Sequence, residues 1–314
     1  MNASNQKSDK LFLTVVMILI LSGLAFFVSA SLGVLAKNEK NFYEVLISQL
    51  GYGFGAGLIG MYIMLKVPYK YLRKFALYIF LLGLILTALV YVPGLGWSHG
   101  GARRWISLGG ISFQPAEFLK FAFIIFLSAY LSGVKEKVKS FRYGILPFMI
   151  MLAITGALLL NQPDTKSFIL ITGTGLAMLF LVGVPLRQIF LVGIIVSILG
   201  GVLIYFTPYL QARVNTFLHP SVDSQGSAYQ IQQSLIAVGS GGIFGRGYGQ
   251  SIQKFSYLPE AQGDSIFAVI GEEFGFVGSA AVIILFVIFF LRGMKIAKHA
   301  PDQFSRLLVS GIVS

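Results

Sequence analysis

The sequence predicts an all-α integral membrane protein, a polytopic helical bundle forming a single membrane domain over residues 1–314, and three observations carry that reading. Hydrophobic residues make up 56% of the chain and charged residues only 11%, for a mean hydropathy of +0.79. Eight apolar runs approach or exceed the roughly 20 residues a helix needs to cross a bilayer core. Basic residues fall in short clusters between those runs, so the net charge of +12 reads as topology determinants and headgroup contacts rather than nucleic-acid binding.

The runs lie near 11–36, 45–65, 72–92, 115–133, 142–160, 167–184, 187–208 and 266–291. A ninth begins near Phe304, but the sequence stops at Ser314, too soon to cross, and the chain reads as truncated. The first run is not read as a cleaved signal despite Val28-Ser29-Ala30, because its apolar core exceeds the usual 7–15 residues and a second span follows at once. Gly51, Gly53, Gly55, Gly57 and Gly60 give the second span overlapping small-xxx-small spacings, which predict close helix packing. With the N-terminus inside, fourteen basic residues fall on the cytoplasmic side and five in short external loops, so the positive-inside rule favours that orientation. The same topology places two long connections outside, 93–113 and about 209–265. The second includes the apolar stretch Leu235–Val238 and reads as partly re-entrant.

Composition also excludes chemistry. There is no cysteine, hence no disulfide, thiolate metal site or cysteine nucleophile. Three scattered histidines (His99, His219, His299) argue against a histidine metal centre.

Polar residues concentrate at two places. Four of twelve acidic residues, Glu260, Asp264, Glu272 and Glu273, fall in YLPEAQGDSIFAVIGEEFGFVG, where the last span opens. A carboxylate at a span centre costs roughly 2.5–3.5 kcal/mol on insertion scales, so such residues face a cavity, a partner or a substrate. Asp264 suits a helix N-cap, and equally a general base at the mouth of a cavity. Glu272 and Glu273 lie deeper and point apart, which predicts structural pairing with different neighbours. The second place is GGARRWISLGGISFQPAEFLK (100–120). Pro115 and Glu117 suit a first helical turn, and Lys120, three residues on, either neutralises Glu117 or binds phosphate. Arg103 and Arg104 before Trp105 suit an interfacial anchor or an anionic lipid headgroup. GSGGIFGRGYGQS (239–251) lacks a preceding strand and a GK[ST] ending, so it is read as backbone packed close to a helix or lipid, not a nucleotide loop. Arg213, Arg246 and Lys254 add positive potential near Glu260 and Asp264.

GARRWISLGGISFQPAEFLK, NQPD (161–164), RVNTFLHP (213–220) and the run from Tyr229 to Gly278 together resemble the SEDS family (shape, elongation, division and sporulation) of cell-wall proteins. The stretch from Gly249 to Pro259 brings them closer to the FtsW branch than to RodA. The resemblance implies a ten-helix peptidoglycan glycosyltransferase, of which eight spans and the start of a ninth lie within this sequence. It implies polymerisation of lipid II outside the cytoplasmic membrane beside a class B penicillin-binding protein and other divisome membrane proteins. The family's proposed catalytic aspartate matches Asp264, and its Gln-Pro-Ser-Glu…Lys motif matches Gln114, Pro115, Glu117 and Lys120, with Ala116 in place of serine. Gln262, Gly263 and Ser265 depart from the family's His, Thr and Phe around that aspartate, and Thr165 and Lys166 depart after Asp164.

On this reading the acceptor 4-hydroxyl attacks the anomeric carbon of the lipid-linked donor, Asp264 takes the proton and undecaprenyl pyrophosphate leaves. Arg103, Arg104, Lys120, Arg213 and Lys254 are the candidates to offset its charge, with Gln114, Glu117 and Glu260 as further substrate contacts. A divalent cation, Mg or Mn, on the diphosphate stays open, since no ligand cluster is legible. A lipid II flippase and a non-catalytic divisome scaffold are the rival readings.

Overall fold

The computed structural model describes residues 9–36, 39–99, 102–108, 111–219 and 228–314. Gly100, Gly101, Gly109, Gly110 and Pro220 of the motifs, with Lys7 and Lys37 of the charge count, lie outside them. In chain order the helices are α1 (Lys10–Leu35), α2 (Glu39–Leu46), a π-helical stretch Ile47–Phe54, α3 (Gly55–Lys66), α4 (Tyr69–Lys74) and α5 (Ala76–Leu89). Then come α6 (Pro115–Val134), a 3₁₀ turn Lys135–Lys139, α7 (Ile145–Asn161), α8 (Thr165–Val182) and α9 (Leu186–Phe206). The series closes with α10 (Pro208–Leu218), α11 (Tyr229–Ser240), α12 (Gln253–Ser256), α13 (Ile266–Lys298) and α14 (Gln303–Val313).

All eight apolar runs are helical. Among the described residues, six helical segments are long and apolar enough to cross a membrane: α1, the continuous Glu39–Lys66, α6, α8, α9 and α13. Ala76–Leu89 and Ile145–Asn161 are shorter apolar helices, and α14 covers the start of the ninth run. The protein is therefore a polytopic α-helical membrane protein.

Two segments that the sequence reads as loops carry structure. Within 93–113 lies a small antiparallel sheet in the order β1 (Gly96–His99), β2 (Ala102–Leu108), β3 (Ile111–Phe113). Trp105 and Ile106 supply the aromatic and β-branched character that favours a strand. The 209–265 segment holds α10, α11 and α12. At 12 residues, α11 rises about 18 Å, too short to cross.

The chain divides into two compact units, each discontinuous: residues 1–65 with 199–292, and residues 66–198 with 293–314. The second holds the larger apolar core, built on α6 with Leu119, Phe123, Leu127 and Leu131 buried against Phe148, Leu159, Met178 and Phe304. Rings interlock there: Phe80 stacks on Phe126 at 5.1 Å, and Phe123 meets Phe148 edge-on at 6.3 Å. Because lipid solvates apolar side chains as well as protein does, such helices associate through close packing and small residues. Gly83 lies against Leu119 and Ala122, Gly175 against Phe148, and Gly311 against Ile124 and Met178. The second span corrects the expectation placed on its glycines. A side chain at Gly55, Gly57 or Gly60 would meet nothing within 4 Å among the described residues. Small-residue spacing permits close approach without requiring it, and at these three glycines no helix among the described residues makes it.

Asp302 anchors α14. Its carboxylate caps the helix, accepting from the Ser305 amide at 2.8 Å, and takes a 2.7 Å hydrogen bond from the Tyr69 hydroxyl. Burial tends to raise the Asp302 pKa, but the Ser305 and Tyr69 hydrogen bonds and the Arg73 charge outweigh it and hold the carboxyl below its usual range. The hydrogen bond to Asp302, then burial and the Asp302 charge, push the Tyr69 phenol up. A lowered carboxyl stabilises the fold fully above its unfolded pKa and loses that contribution as pH falls through the folded one; a raised phenol contributes below its unfolded pKa and loses it as pH rises. Docking of α14 is thus expected to be strongest between about pH 4 and 10. Tyr69→Phe should flatten the acid limb of a thermal-stability profile, and an unchanged limb would count against the pair.

Candidate functional site

In the first unit α13 is broken. Gly275 sits at φ 65°, ψ −161°, a conformation closed to side-chain-bearing residues, and the helical ladder stops there. The glycine-rich loop 241–249 takes up the freed backbone groups. The amides of Phe276 and Val277 donate to the carbonyls of Gly242 (2.9 Å) and Ile243 (3.1 Å). Those of Arg246 and Gly247 donate to the carbonyls of Glu272 (3.0 Å) and Glu273 (2.9 Å). Broken helices are tolerated in membrane proteins where other parts of the chain satisfy the backbone in this way. The loop thus has the close helix contact the sequence suggests.

Just before the break, the two glutamates project about 100° apart on the helix, yet both reach the segment from Ser251 to Lys254, and Glu273 reaches α1 as well. Glu272 accepts from the Ser251 hydroxyl (2.6 Å) and from the amides of Ile252 (3.0 Å) and Gln253 (3.3 Å), with Arg246 Nε at 3.6 Å. Glu273 takes the Ser29 hydroxyl of α1 at 2.7 Å and the Lys254 ammonium at 2.6 Å. Both carboxylates and Lys254 are buried. Gly33 of α1 lies so close to the Lys254 carbonyl that no side chain fits between them. Leu258 and Ala261 then pack with Ala30, Ala237, Ala268 and Val269.

This geometry corrects one expectation. Lys254 does not face a substrate diphosphate: its side chain is 0% exposed and its charge is consumed by Glu273. Sequence reasoning missed Ser29 and Ser251 as partners of the glutamates. Ser29 lies 244 residues from Glu273, and no local spacing announces such a pairing.

Asp264 emerges from this buried base. It is exposed, in the turn immediately before α13. The Glu260 carbonyl accepts the amides of Gly263 (3.0 Å) and Ser265 (3.1 Å), so the backbone is pinned on both sides of the aspartate. Glu260 itself has φ 48°, and its side chain is exposed. The Ser265 hydroxyl accepts from Gln230 of α11 at 3.0 Å. Arg213, on α10, lies over the Tyr209 ring at 4.6 Å.

The remaining candidates belong to the second unit. Lys120 and Glu117 form an ion pair at 2.8 Å, with the carboxylate half exposed. Arg103 and Arg104 are neighbours on β2 at a register shift in its pairing with β1, where Ser98 faces Arg103 and Trp97 faces Trp105. Arg104 donates to the carbonyls of Gln162 (3.0 Å) and Pro163, clasping the turn between α7 and α8; Arg103 is exposed. Gln114 donates to Asp164, which caps α8 through the Ser167 amide. Charged hydrogen bonds of this kind contribute about 1.5–3 kcal/mol together with the penalty of leaving carbonyls unpaired. Arg104→Ala is expected to lower the unfolding temperature, and Arg104→Lys should not restore it, because a single ammonium cannot span two carbonyls in the guanidinium's fork geometry. Among the described residues no group of three or more His, Asp or Glu is placed to hold a metal ion.

A polytopic bundle with a broken helix, whose buried carboxylates hold a polar loop and leave Asp264 and Glu260 exposed before the helix, defines a membrane protein with a built polar site. The chain belongs to the FtsW, RodA and SpoVE family of cell cycle proteins, whose model matches residues 9–314. It is 36% identical over 317 residues to stage V sporulation protein E of Bacillus subtilis, covering 100% of this chain and 86% of that one. It is 39% identical over 295 residues to the probable peptidoglycan glycosyltransferase FtsW of Legionella pneumophila, covering 94% and 75%. Among solved structures, a chain from a peptidoglycan synthase complex that coordinates polymerization and crosslinking superposes with a TM-score of 0.74 at 24% identity, covering 97% of this chain and 82% of that chain. Thermus thermophilus RodA gives a TM-score of 0.61 at 24% identity, covering 94% and 79%.

Proposed function

We propose that the protein is a peptidoglycan glycosyltransferase that polymerises lipid II, with Asp264 as general base. The observation that carries this assignment is the exposed carboxylate held in a pinned turn at the mouth of α13, in a chain of this family. The acceptor's 4-hydroxyl attacks the anomeric carbon of the donor with inversion, Asp264 takes the hydroxyl proton, and undecaprenyl pyrophosphate departs. Arg213, in the same unit as Asp264, is the cation assigned to the diphosphate; Arg104 is engaged by two carbonyls, Lys254 by Glu273 and Lys120 by Glu117. Gln114, Glu117 and Glu260 stay as candidate substrate contacts, and a divalent cation would have to draw its ligands largely from the diphosphate.

The setting that fits is the bacterial cytoplasmic membrane, with the N-terminus inside and the Asp264 turn on the outer face, as the basic residues indicate. A class B penicillin-binding protein and other divisome membrane proteins are the partners we assign. In support, the structurally similar synthase couples polymerization to crosslinking and several relatives are named FtsW. Purified protein supplied with lipid II is expected to form glycan strands. Lipid II crossing vesicle membranes with no strand formed would replace this reading with that of a flippase.

A further inference from the structure

We infer that Lys254, Glu273 and Ser29 are positioning residues that set the placement of Asp264, closing a ring of chain in which the last span holds the segment preceding it. The inference rests on the assignment of Asp264 above and deepens it. From Ser251 to Ser265 the chain makes a short excursion that begins and ends on α13. At its start, Glu272 receives the Ser251 hydroxyl and the Ile252 and Gln253 amides, and Glu273 receives the Lys254 ammonium. At its end, Ser265 leads directly into α13 and is tied laterally to Gln230. Between these points Leu258 and Ala261 are buried, whereas Asp264 is exposed. The excursion is therefore fastened at both ends and seated in the middle, with the proposed base on its exposed side.

The closure uses charge where apolar packing would suffice for stability. Replacing a buried ion pair by apolar or neutral groups of similar volume is often neutral or stabilising, while removing one partner alone is strongly destabilising. An ion pair does supply directional register. Lys254 Nζ reaches Glu273 Oε1 at 2.6 Å and Ser29 Oγ at 3.0 Å, and Ser29 donates to the same carboxylate at 2.7 Å, a three-membered contact with α1, α12 and α13 as its corners. A slip of the excursion along α13 would break both Lys254 contacts at once. A displacement of about 1 Å at a catalytic group can cost a hundredfold in rate. The pair is thus suited to fixing where the carboxylate stands as well as to holding the fold together.

The test is the double variant Lys254→Met with Glu273→Gln, which leaves no unpaired buried charge and little lost volume. Wild type and variant are reconstituted in nanodiscs and compared in lipid II polymerisation, thermal unfolding and hydrogen–deuterium exchange. Expected are an unfolding temperature within about 2 °C of wild type, an unchanged KM for lipid II, a kcat lower by about 10–100-fold, and faster exchange across 254–265. A wild-type rate, or unchanged exchange in that segment, would overturn the inference. So would loss of folding in the double variant, which would make the pair a stability element only. Asp264→Asn is run in parallel. If it polymerised normally, the assignment of the base would fall, while the exchange measurement would still decide whether the ring holds the segment.

Discussion

Asp264→Asn is expected to leave the protein folded and to lower lipid II polymerisation by about 10²–10⁴-fold, the range contributed by a positioned general base. Asparagine is the informative replacement because the sequence supports two roles for this aspartate. Asn caps a helix about as well as Asp, so an N-cap role survives the change, whereas the capacity to accept a proton does not. The residue is exposed, and a substitution there should move stability by no more than about 0.5 kcal/mol. Polymerisation of purified lipid II, read alongside thermal unfolding, separates the roles. A folded Asp264→Asn protein working at the normal rate would remove this residue from the chemistry.

Gly275→Ala is expected to have the largest effect on the fold. The backbone there lies at φ 65°, ψ −161°, and a methyl group would fall within about 2.6 Å of the Ile243 carbonyl. Forcing a side-chain-bearing residue into such a region costs about 1–3 kcal/mol. Overpacking against backbone, which cannot rotate away, adds about 1–3 kcal/mol more. Four loop-to-helix hydrogen bonds flank the same point, so relief by backbone movement would weaken contacts that keep polar groups satisfied. The expected outcome is a large drop in unfolding temperature, with Gly23→Ala in α1 as the control, where an added methyl would meet nothing within 4 Å among the described residues. A Gly275→Ala protein as stable as wild type would mean that the break is not required.

Helices were legible because lipid imposes a length and an apolar composition on them, so each of the eight runs could be read from the chain. Their partners were not. The spacing of Gly55, Gly57 and Gly60 matches a packing motif, yet the glycines that meet neighbours include Gly33, Gly83, Gly175 and Gly311, each identified only by what lies across from it. The site divided in the same way. Glu117 and Lys120, three residues apart on one helix, form the ion pair their spacing suggests. Glu272 and Glu273 were recognisable as costly carboxylates requiring partners, but Ser251 and Ser29 are joined to them only by the tertiary fold. Lys254 shows the limit most clearly. In the sequence it adds positive charge beside an acidic window, and only burial reveals that its charge is already matched.

The chain order of the break in α13 bears on how the protein is made. A helix with unsatisfied carbonyls and amides within it is a poor substrate for membrane insertion, since each such group costs several kcal/mol in hydrocarbon. The loop that satisfies them, 241–249, lies on the N-terminal side of the break and leaves the ribosome first. When the segment around Gly275 emerges, its hydrogen-bonding partners have already been synthesised, as have Ser29 and Lys254 for the glutamates. The least insertable turn of the chain thus arrives after everything it needs.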